Sequence, residues 1–325
     1  MRNNSLFKQY YKSLICKLFV LGNSSQGESI ILVLYGDNQV IYSCVVDSFS
    51  SQNEIIPITV LNDLQLERIT DLFWTHPHDD HTDGLLDLIN TFSPQSIYIP
   101  AELHTLPDDI HSLSATVLKE INGYSNGYDR RSRNRPRISP IGCNYQLYSY
   151  KLQVNGFTVP FSIRTIAPCT GIDRRNAIDN RYSSLNDYSI VLNIIIGDFS
   201  ILLTGDIQNR IIQFVNEELS FDVPTPHILK IPHHGSKDSL EITQLFENEH
   251  LIDIAITTAK RSSNLPKTEA LQHYSSYSSR VLKIDSDITG NAIWGIDVDI
   301  MNATVTPLKC KNFSDYTLDH PKIQS

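Results

Sequence analysis

The chain has 325 residues, is 41% hydrophobic and carries a net charge of −9 at pH 7. That length holds one large core or two ordinary domains, and the acidic balance argues against broad, nonspecific attraction to nucleic acid or to an anionic membrane. Five scattered cysteines (Cys16, Cys44, Cys143, Cys169 and Cys310), with no C-x-x-C pair, argue against a disulfide framework or a thiolate zinc site and for reduced thiols in a cytoplasmic protein. No stretch approaches the roughly 18 consecutive apolar residues that span a bilayer. Arg2, Lys8 and Lys12 precede an apolar run in the manner of a signal sequence. Lys17 interrupts that run and no small-residue cleavage site follows, so the segment reads as a first strand.

From there, SLICKLFV, ESIILVLYG and QVIYSCVVD read as β-branched strands separated by the turn-rich GNSSQG and GDNQ. DLFWTH is a further short strand. TDGLLDLINTF places Leu85, Leu86, Ile89 and Phe92 on one helical face, with Thr82 or Asp83 as N-cap. SIYIP is a strand, and the polar residues 123–145 read as a long loop or insertion. DYSIVLNIIIGDFSILLTGD predicts a hairpin turning at Gly197-Asp198. An amphipathic helix follows, carrying Ile207, Ile211, Ile212, Val215 and Leu219. HILKIPHHGS, IDIAITT and RVLKID are strands, with KTEALQHYSSY a helix between the last two. The alternation of strands and helices in both halves predicts one α/β sandwich domain rather than two independent units.

The chemistry gathers at strand ends. His76-Pro77-His78-Asp79-Asp80-His81 follows the apolar DLFWT. On an extended backbone His76 and His78 point the same way, and Asp80 and His81 come round as the chain turns towards the helix. The stretch can thus present two pairs of nitrogen and carboxylate donors to two neighbouring divalent cations. A solvated turn rich in His and Asp is the plainer explanation. It weakens because two other strand ends also carry donors: Asp206 after ILLTG, placed to bridge two cations, and His233-His234 after LKIP. The chain offers no nucleophile elbow, no Walker-type loop and no G-x-G-x-x-G turn.

The order H-x-H-x-D-H, LLTGD and LKxxHHGS resembles the metallo-β-lactamase superfamily, more narrowly the metallo-hydrolase domain of ComEC-type DNA-uptake proteins and their free-standing relatives. NSSQGESIILVL, VVDS, NDYSIVL, NLP and DSDITG resemble further elements of that family. The resemblance implies a four-layer αββα sandwich over residues 1–325, with the Arg-rich segment near 123–145 as a loop or insertion. It implies that His76 and His78 hold one metal, Asp80 and His81 the second, and that Asp206 bridges them. One histidine of the His233–His234 pair would complete the second metal's shell, with His233 the preferred ligand and His234 facing the substrate. Asp47 would orient a ligand histidine. The ions would be zinc, with manganese as the alternative.

Three departures accompany the resemblance. Asn186 stands where relatives carry another metal histidine, which implies a weaker or more open first site. The D-T-G strand end reads Asp47-Ser48-Phe49. Asn264-Leu265-Pro266 lacks the histidine that often precedes the proline.

The implied activity is hydrolysis of a phosphodiester, in nucleic acid or a nucleotide, by a metal-activated water. Asp80 would accept the water's proton, and His234, Lys237 or Lys260 would stabilise an anionic transition state. Arg130, Arg131, Arg133, Arg135 and Arg137 form a basic run in an otherwise acidic chain; Arg131, Arg133 and Arg135, with Lys260, are the candidate phosphate contacts. Ester, lactone or amide hydrolysis by the same centre is the alternative, and a non-catalytic module acting beside a partner protein is a third reading. No membrane association is expected.

Overall fold

A computed structural model describes residues 10–23, 27–101, 103, 110–126, 135–169, 184–218, 221–246, 250–285, 291–308 and 310–319. Within them, strands whose side chains are apolar at consecutive positions must be covered on both faces. β1 (Leu14–Asn23) and β2 (Gly27–Gly36) are of this kind. Leu18, Val20, Leu32 and Leu34 point into one apolar cluster, whereas Phe19, Leu21, Ile31 and Val33 point into another. The fold answers this demand with four layers.

The first sheet runs in the order β17 (Thr304–Pro307), β16 (Ala292–Asp299), β1, β2, β3 (Gln39–Val46), β6 (Asp71–Phe73), β7 (Ser96–Pro100) and β8 (Arg137–Ile141). The second runs β18 (Phe313–Asp315), β15 (Ser278–Ile284), β14 (Ile252–Thr258), β13 (Ile228–Lys230), β12 (Phe199–Leu203), β11 (Val191–Ile196), β10 (Phe157–Ala167) and β9 (Gln146–Val154). A small ribbon, β4 (Ser50–Ser51) with β5 (Glu54–Ile55), stands apart from both. The two large sheets pack face to face through Tyr42, Phe73, Phe161, Leu192, Leu282 and Trp294, among others. The outer face of the first is covered by α1 (Ile56–Asp63), α3 (Leu85–Phe92) and α4 (Ser112–Asn126), with the one-turn α2 (Asp79–Thr82) at its end. The outer face of the second is covered by α5 (Asn209–Glu218) and α6 (Thr268–Tyr277). A last turn, α7 (Tyr316–Asp319), ends the described chain. This is the αββα sandwich.

Several local expectations shift. α3 begins after Gly84, which takes the left-handed conformation (φ 77°), rather than after Thr82 or Asp83, because Thr82 closes the separate turn α2. Its buried face is Leu85, Leu88, Ile89 and Phe92; Leu86, one position from Leu85, swings to the flank. The polar segment 123–145 is not one loop: residues 123–126 finish α4, and β8 starts at Arg137. The letters GYSNG at 123–127 match the G-x-S-x-G pattern, but an elbow needs a strand-to-helix turn and this run begins inside the end of α4. Leu219 lies outside the described residues. The Gly197-Asp198 hairpin is present, joining β11 and β12. Among the described residues no helix is long and apolar enough to cross a membrane.

Candidate metal centre

Loops at the ends of parallel-paired strands carry the polar cluster. β3 delivers Asp47; β6, its parallel neighbour, delivers Thr75 and His76. In the other sheet β12, β13 and β14 are parallel neighbours, and they deliver Asp206, His234 and Lys260. After Trp74 the chain bends at Pro77, is extended at His78 (φ −90°, ψ 148°) and then winds into α2. His76 and His78 rings therefore meet edge to face at 4.8 Å, and the turn brings Asp80 and His81 to the same side. Trp74 Nε1 donates to Thr82 Oγ1 at 3.0 Å, and Thr82 Oγ1 donates to the His78 carbonyl at 2.6 Å, which locks the turn.

Two glycines permit the close approach. A Cβ on Gly27 would lie 2.2 Å from the Asp80 carbonyl oxygen, and one on Gly205 would press on Ser189 and Thr75 at 3.3 Å. Asp47, His233 and His234 hold left-handed backbones at φ 57°, 48° and 52°. For residues with a Cβ such conformations cost of order 1–3 kcal/mol each and collect at functional sites.

Asp206 is the hub. Its Oδ1 stands 3.6 Å from His81 Nε2, and its Oδ2 stands 3.8 Å from His76 Nε2 and 3.6 Å from His234 Nε2. Asp80 Oδ2 lies 3.4 Å from His234 Nε2 and 3.8 Å from His81 Nε2. These separations exceed a hydrogen bond. Two donors each about 2.0–2.1 Å from a tetrahedral zinc stand roughly 3.4 Å apart, so the spacing suits shared cations. His76 Nε2, His78 Nδ1, His81 Nε2, His234 Nε2 and both Asp206 carboxylate oxygens are buried without a hydrogen-bond partner. Orphaned lone pairs on this scale would be costly unless a ligand satisfied them, and the residues fit a pair of divalent ions.

Among the described residues four donor triplets have their ligand atoms within 4.8 Å of one another, and hydrogen bonding sorts them. Asp47 is already engaged: Oδ1 accepts from Thr75 N at 2.7 Å, and Oδ2 accepts from Thr75 Oγ1 at 2.6 Å and from His81 Nδ1 at 2.7 Å. Glu28 is engaged by Lys230 and Thr258. Two triplets keep free donors: His76, His78 and Asp206, and Asp80, His81 and His234, with Asp206 between them.

Asp47 orients two histidines. It fixes His81 directly, and because the Thr75 hydroxyl proton goes to Asp47, that hydroxyl is left to accept from His76 Nδ1 at 2.9 Å. Both rings thereby turn Nε2 towards Asp206.

Electrostatics agree with donors ready to ligate. Burial pushes the His76 pKa well below its ordinary value and that of His78 down to about 4, so both imidazoles keep their lone pairs at neutral pH. Burial opposes the charge on Asp206 and Asp80, but the surrounding imidazoles, joined at Asp80 by Lys260, hold both carboxylates well below the usual range. Burial opposes a charge on His81 too, yet Asp206, Asp47 and Asp80 raise its pKa well above the ordinary value. A bound cation would take the place of that proton.

The other expected residues fall as follows. The geometry exchanges the two roles expected of the histidine pair. His234, fully buried, faces Asp80 and Asp206, whereas His233 turns to Asn186 Nδ2 (3.3 Å from its Nε2) and Gln208 Nε2 (3.2 Å from its Nδ1). Successive left-handed residues swing the second ring, not the first, back over Asp206. Asn186 sits on the 3₁₀ turn Leu185–Tyr188 with its Oδ1 buried and unpartnered. Lys260 Nζ contacts Asp80 Oδ2 at 2.6 Å. Lys237 does not join the cluster: its Nζ pairs with Glu269 at 2.7 Å on the surface. Arg131 and Arg133 lie outside the described residues, and Arg135 is exposed. Sequence reasoning assigned no role to Glu28, Lys230 or Thr258; the charges in GES and ILK, placed inside apolar strands, were the available signal.

Residues 26–147 match the family model described as the metallo-beta-lactamase superfamily. The match supports the metallo-β-lactamase superfamily. It contains Asp47 and His76–His81, while the fold brings in Asp206 and His234 from beyond it. Among solved structures, a novel metallo hydrolase from the hyperthermophilic archaeon Ignicoccus hospitalis is 13% identical, covering 86% of this chain and 98% of its own, with a TM-score of 0.44. The metallo-beta-lactamase fold protein YhfI from Bacillus subtilis is 10% identical over 85% and 98% (TM-score 0.43). A diphosphatase from the PhnP family is 12% identical over 87% and 98% (TM-score 0.39). No curated protein matches the chain.

Proposed function

We propose that this protein is a metal-dependent hydrolase that cleaves a phosphodiester in nucleic acid or a nucleotide, within the ComEC-type branch. The observation that carries the hydrolase reading is the convergence of His76, His78, Asp80, His81, Asp206 and His234, whose facing donor atoms have no hydrogen-bond partner beyond the Lys260 contact to Asp80. Zinc or manganese held by these donors would polarise a substrate oxygen and make a bound water acidic near neutral pH.

The chain's own groups divide the remaining work. Asp206 is sealed, whereas the Asp80 side chain is 17% exposed, so Asp80 is the carboxylate that solvent and substrate can reach. It is the group to accept a proton from the attacking water. Lys260, 24% exposed and on the same oxygen, supplies an ammonium where an anionic substrate would enter, and this favours a phosphodiester over a neutral ester or lactone. His233, half-buried beside Asn186 and Gln208, offers a second polar contact. Asn186 in place of an imidazole supports the ComEC-type branch.

The test is one purified sample, assayed for metal content and for hydrolysis of single-stranded DNA, RNA, cyclic nucleotides and an aryl phosphodiester, with Asp80→Ala as control. Cleavage of at least one phosphodiester, lost in Asp80→Ala, is expected. Efficient opening of a lactone or ester with no phosphodiester cleaved would refute the substrate class. A metal-loaded protein inactive on all of them would favour the non-catalytic module.

A further inference from the structure

Lys230 and Glu28 form an ion pair inside the protein, Nζ to Oε2 at 2.9 Å, with neither side chain more than 3% exposed. Such pairs contribute little stability, since the desolvation of both charges offsets their attraction, and an apolar replacement is often neutral or better. The surroundings give this one a use. The Thr258 hydroxyl donates to Glu28 Oε2, and its oxygen is left to accept from His234 Nδ1 at 2.9 Å. His234 Nε2 then faces Asp80 and Asp206. Lys230, whose Nζ also donates to the Ile231 carbonyl at 3.1 Å, meets the charge of Glu28 within the protein.

This relay, which runs from Glu28 on β2 of the first sheet to Thr258 and His234 of the second, repeats the one from Asp47 through Thr75 to His76. In both, a buried carboxylate takes the hydroxyl proton of a threonine, and the threonine takes the Nδ1 proton of a histidine.

We propose that Glu28, Thr258 and Lys230 are positioning residues that fix the tautomer and ring plane of His234 and so set the affinity of the ion held by Asp80, His81 and His234. The proposal rests on the metal centre described above. Its consequence is selective: disturbing Thr258 acts on one of the two ions. Removing such supporting hydrogen bonds typically costs about 10–100-fold in metal affinity.

The test is a Co²⁺ titration of metal-free protein, following the d–d absorption and the two binding constants, for wild type, Thr258→Val and Thr258→Ser. Melting of each metal-free variant serves as the fold control. In Thr258→Val one cobalt step should weaken about 10–100-fold and its absorption should change, while the other step is kept. Thr258→Ser, which retains the hydroxyl, should restore both. A second variant, Glu28→Gln with Lys230→Met, removes the charge pair at similar volume and should weaken the same step, which keeps the test alive if valine disturbs folding. Unchanged binding in both variants overturns the inference and leaves the metal centre standing. Equal weakening of both steps also overturns it, because a loosened fold acts on every ligand. A wild-type protein that binds no cobalt overturns the centre itself.

Discussion

Asp71 sits fully buried on β6, its Oδ2 accepting from Tyr42 Oη at 2.9 Å, where Tyr98 and Tyr148 also close on it. Burial raises its pKa from 3.8 to about 7. An acid whose pKa is higher folded than unfolded contributes stability that is complete below the unfolded pKa and disappears as pH rises through the folded one. The shift of about three units corresponds to about 4 kcal/mol between those limits, of which about 3 kcal/mol falls between pH 5 and pH 8. Replacing Asp71 by Asn keeps an oxygen for Tyr42 and removes the titration. In urea unfolding of the metal-free protein, wild type should lose stability relative to Asp71→Asn as pH rises from 5 to 8, by a few kcal/mol at most, and the two should run parallel above that. The comparison cancels the other titrating groups, which both proteins share. A difference between the two proteins that does not change with pH would refute the reasoning and place the Asp71 carboxyl in an environment far more polar than the tyrosines suggest.

Asp47→Ala should weaken both ions by about 10–100-fold, because Asp47 holds His81 directly and His76 through Thr75; calorimetric metal titration reads it. Lys260→Met should lower kcat/KM on a phosphodiester by about 100-fold without weakening ion binding, and steady-state kinetics beside a metal titration separate the two effects. Lys237→Ala should leave kcat/KM within about twofold, since its pairing with Glu269 is a surface ion pair of small energetic weight. Saturating divalent ion, at about 1,000 times its dissociation constant, should stabilise the protein by about 4 kcal/mol per site, read as a rise in thermal midpoint that Asp206→Ala reduces.

Legibility in the sequence followed the range of the interaction. The clustering of the H-x-H-x-D-H stretch was readable because its polar residues are neighbours in the chain, and a short segment followed by one helical turn is enough to gather them. Asp206 and the histidine pair were readable because each ends an apolar run, and strand ends are where side chains can converge. Choosing between His233 and His234 depended on two successive left-handed residues, a conformation that no local pattern announces. The Glu28–Thr258–His234 chain was hidden because Thr258 and Glu28 are 230 positions apart, so that GES and ITT look like ordinary strand text until the sheets are packed. Lys237 stands close to HHGS in sequence, but its long side chain reaches Glu269 on the surface instead, a long-range pairing that no local pattern announces.

The cluster of donors also needs both sheets in place. His76 and His81 hang from the first sheet, Asp206 and His234 from the second, and the apolar layer between the sheets fixes the distance across which they face each other. Side-chain volume in that layer therefore sets donor spacing, since a close-packed core transmits strain rather than absorbing it. The two supporting carboxylates differ in reach: Asp47 serves His76 and His81 of its own sheet, whereas Glu28, near the start of β2 of the first sheet, reaches across to Thr258 and His234 of the second. Glu28 is thus the point where the first sheet holds a donor of the second, and Gly27 beside it lies against the Asp80 carbonyl. One strand start consequently sets both the position of Asp80 and the ring plane of His234, which together with His81 make up one of the donor triplets. The geometry of that triplet is fixed by backbone packing and a buried ion pair.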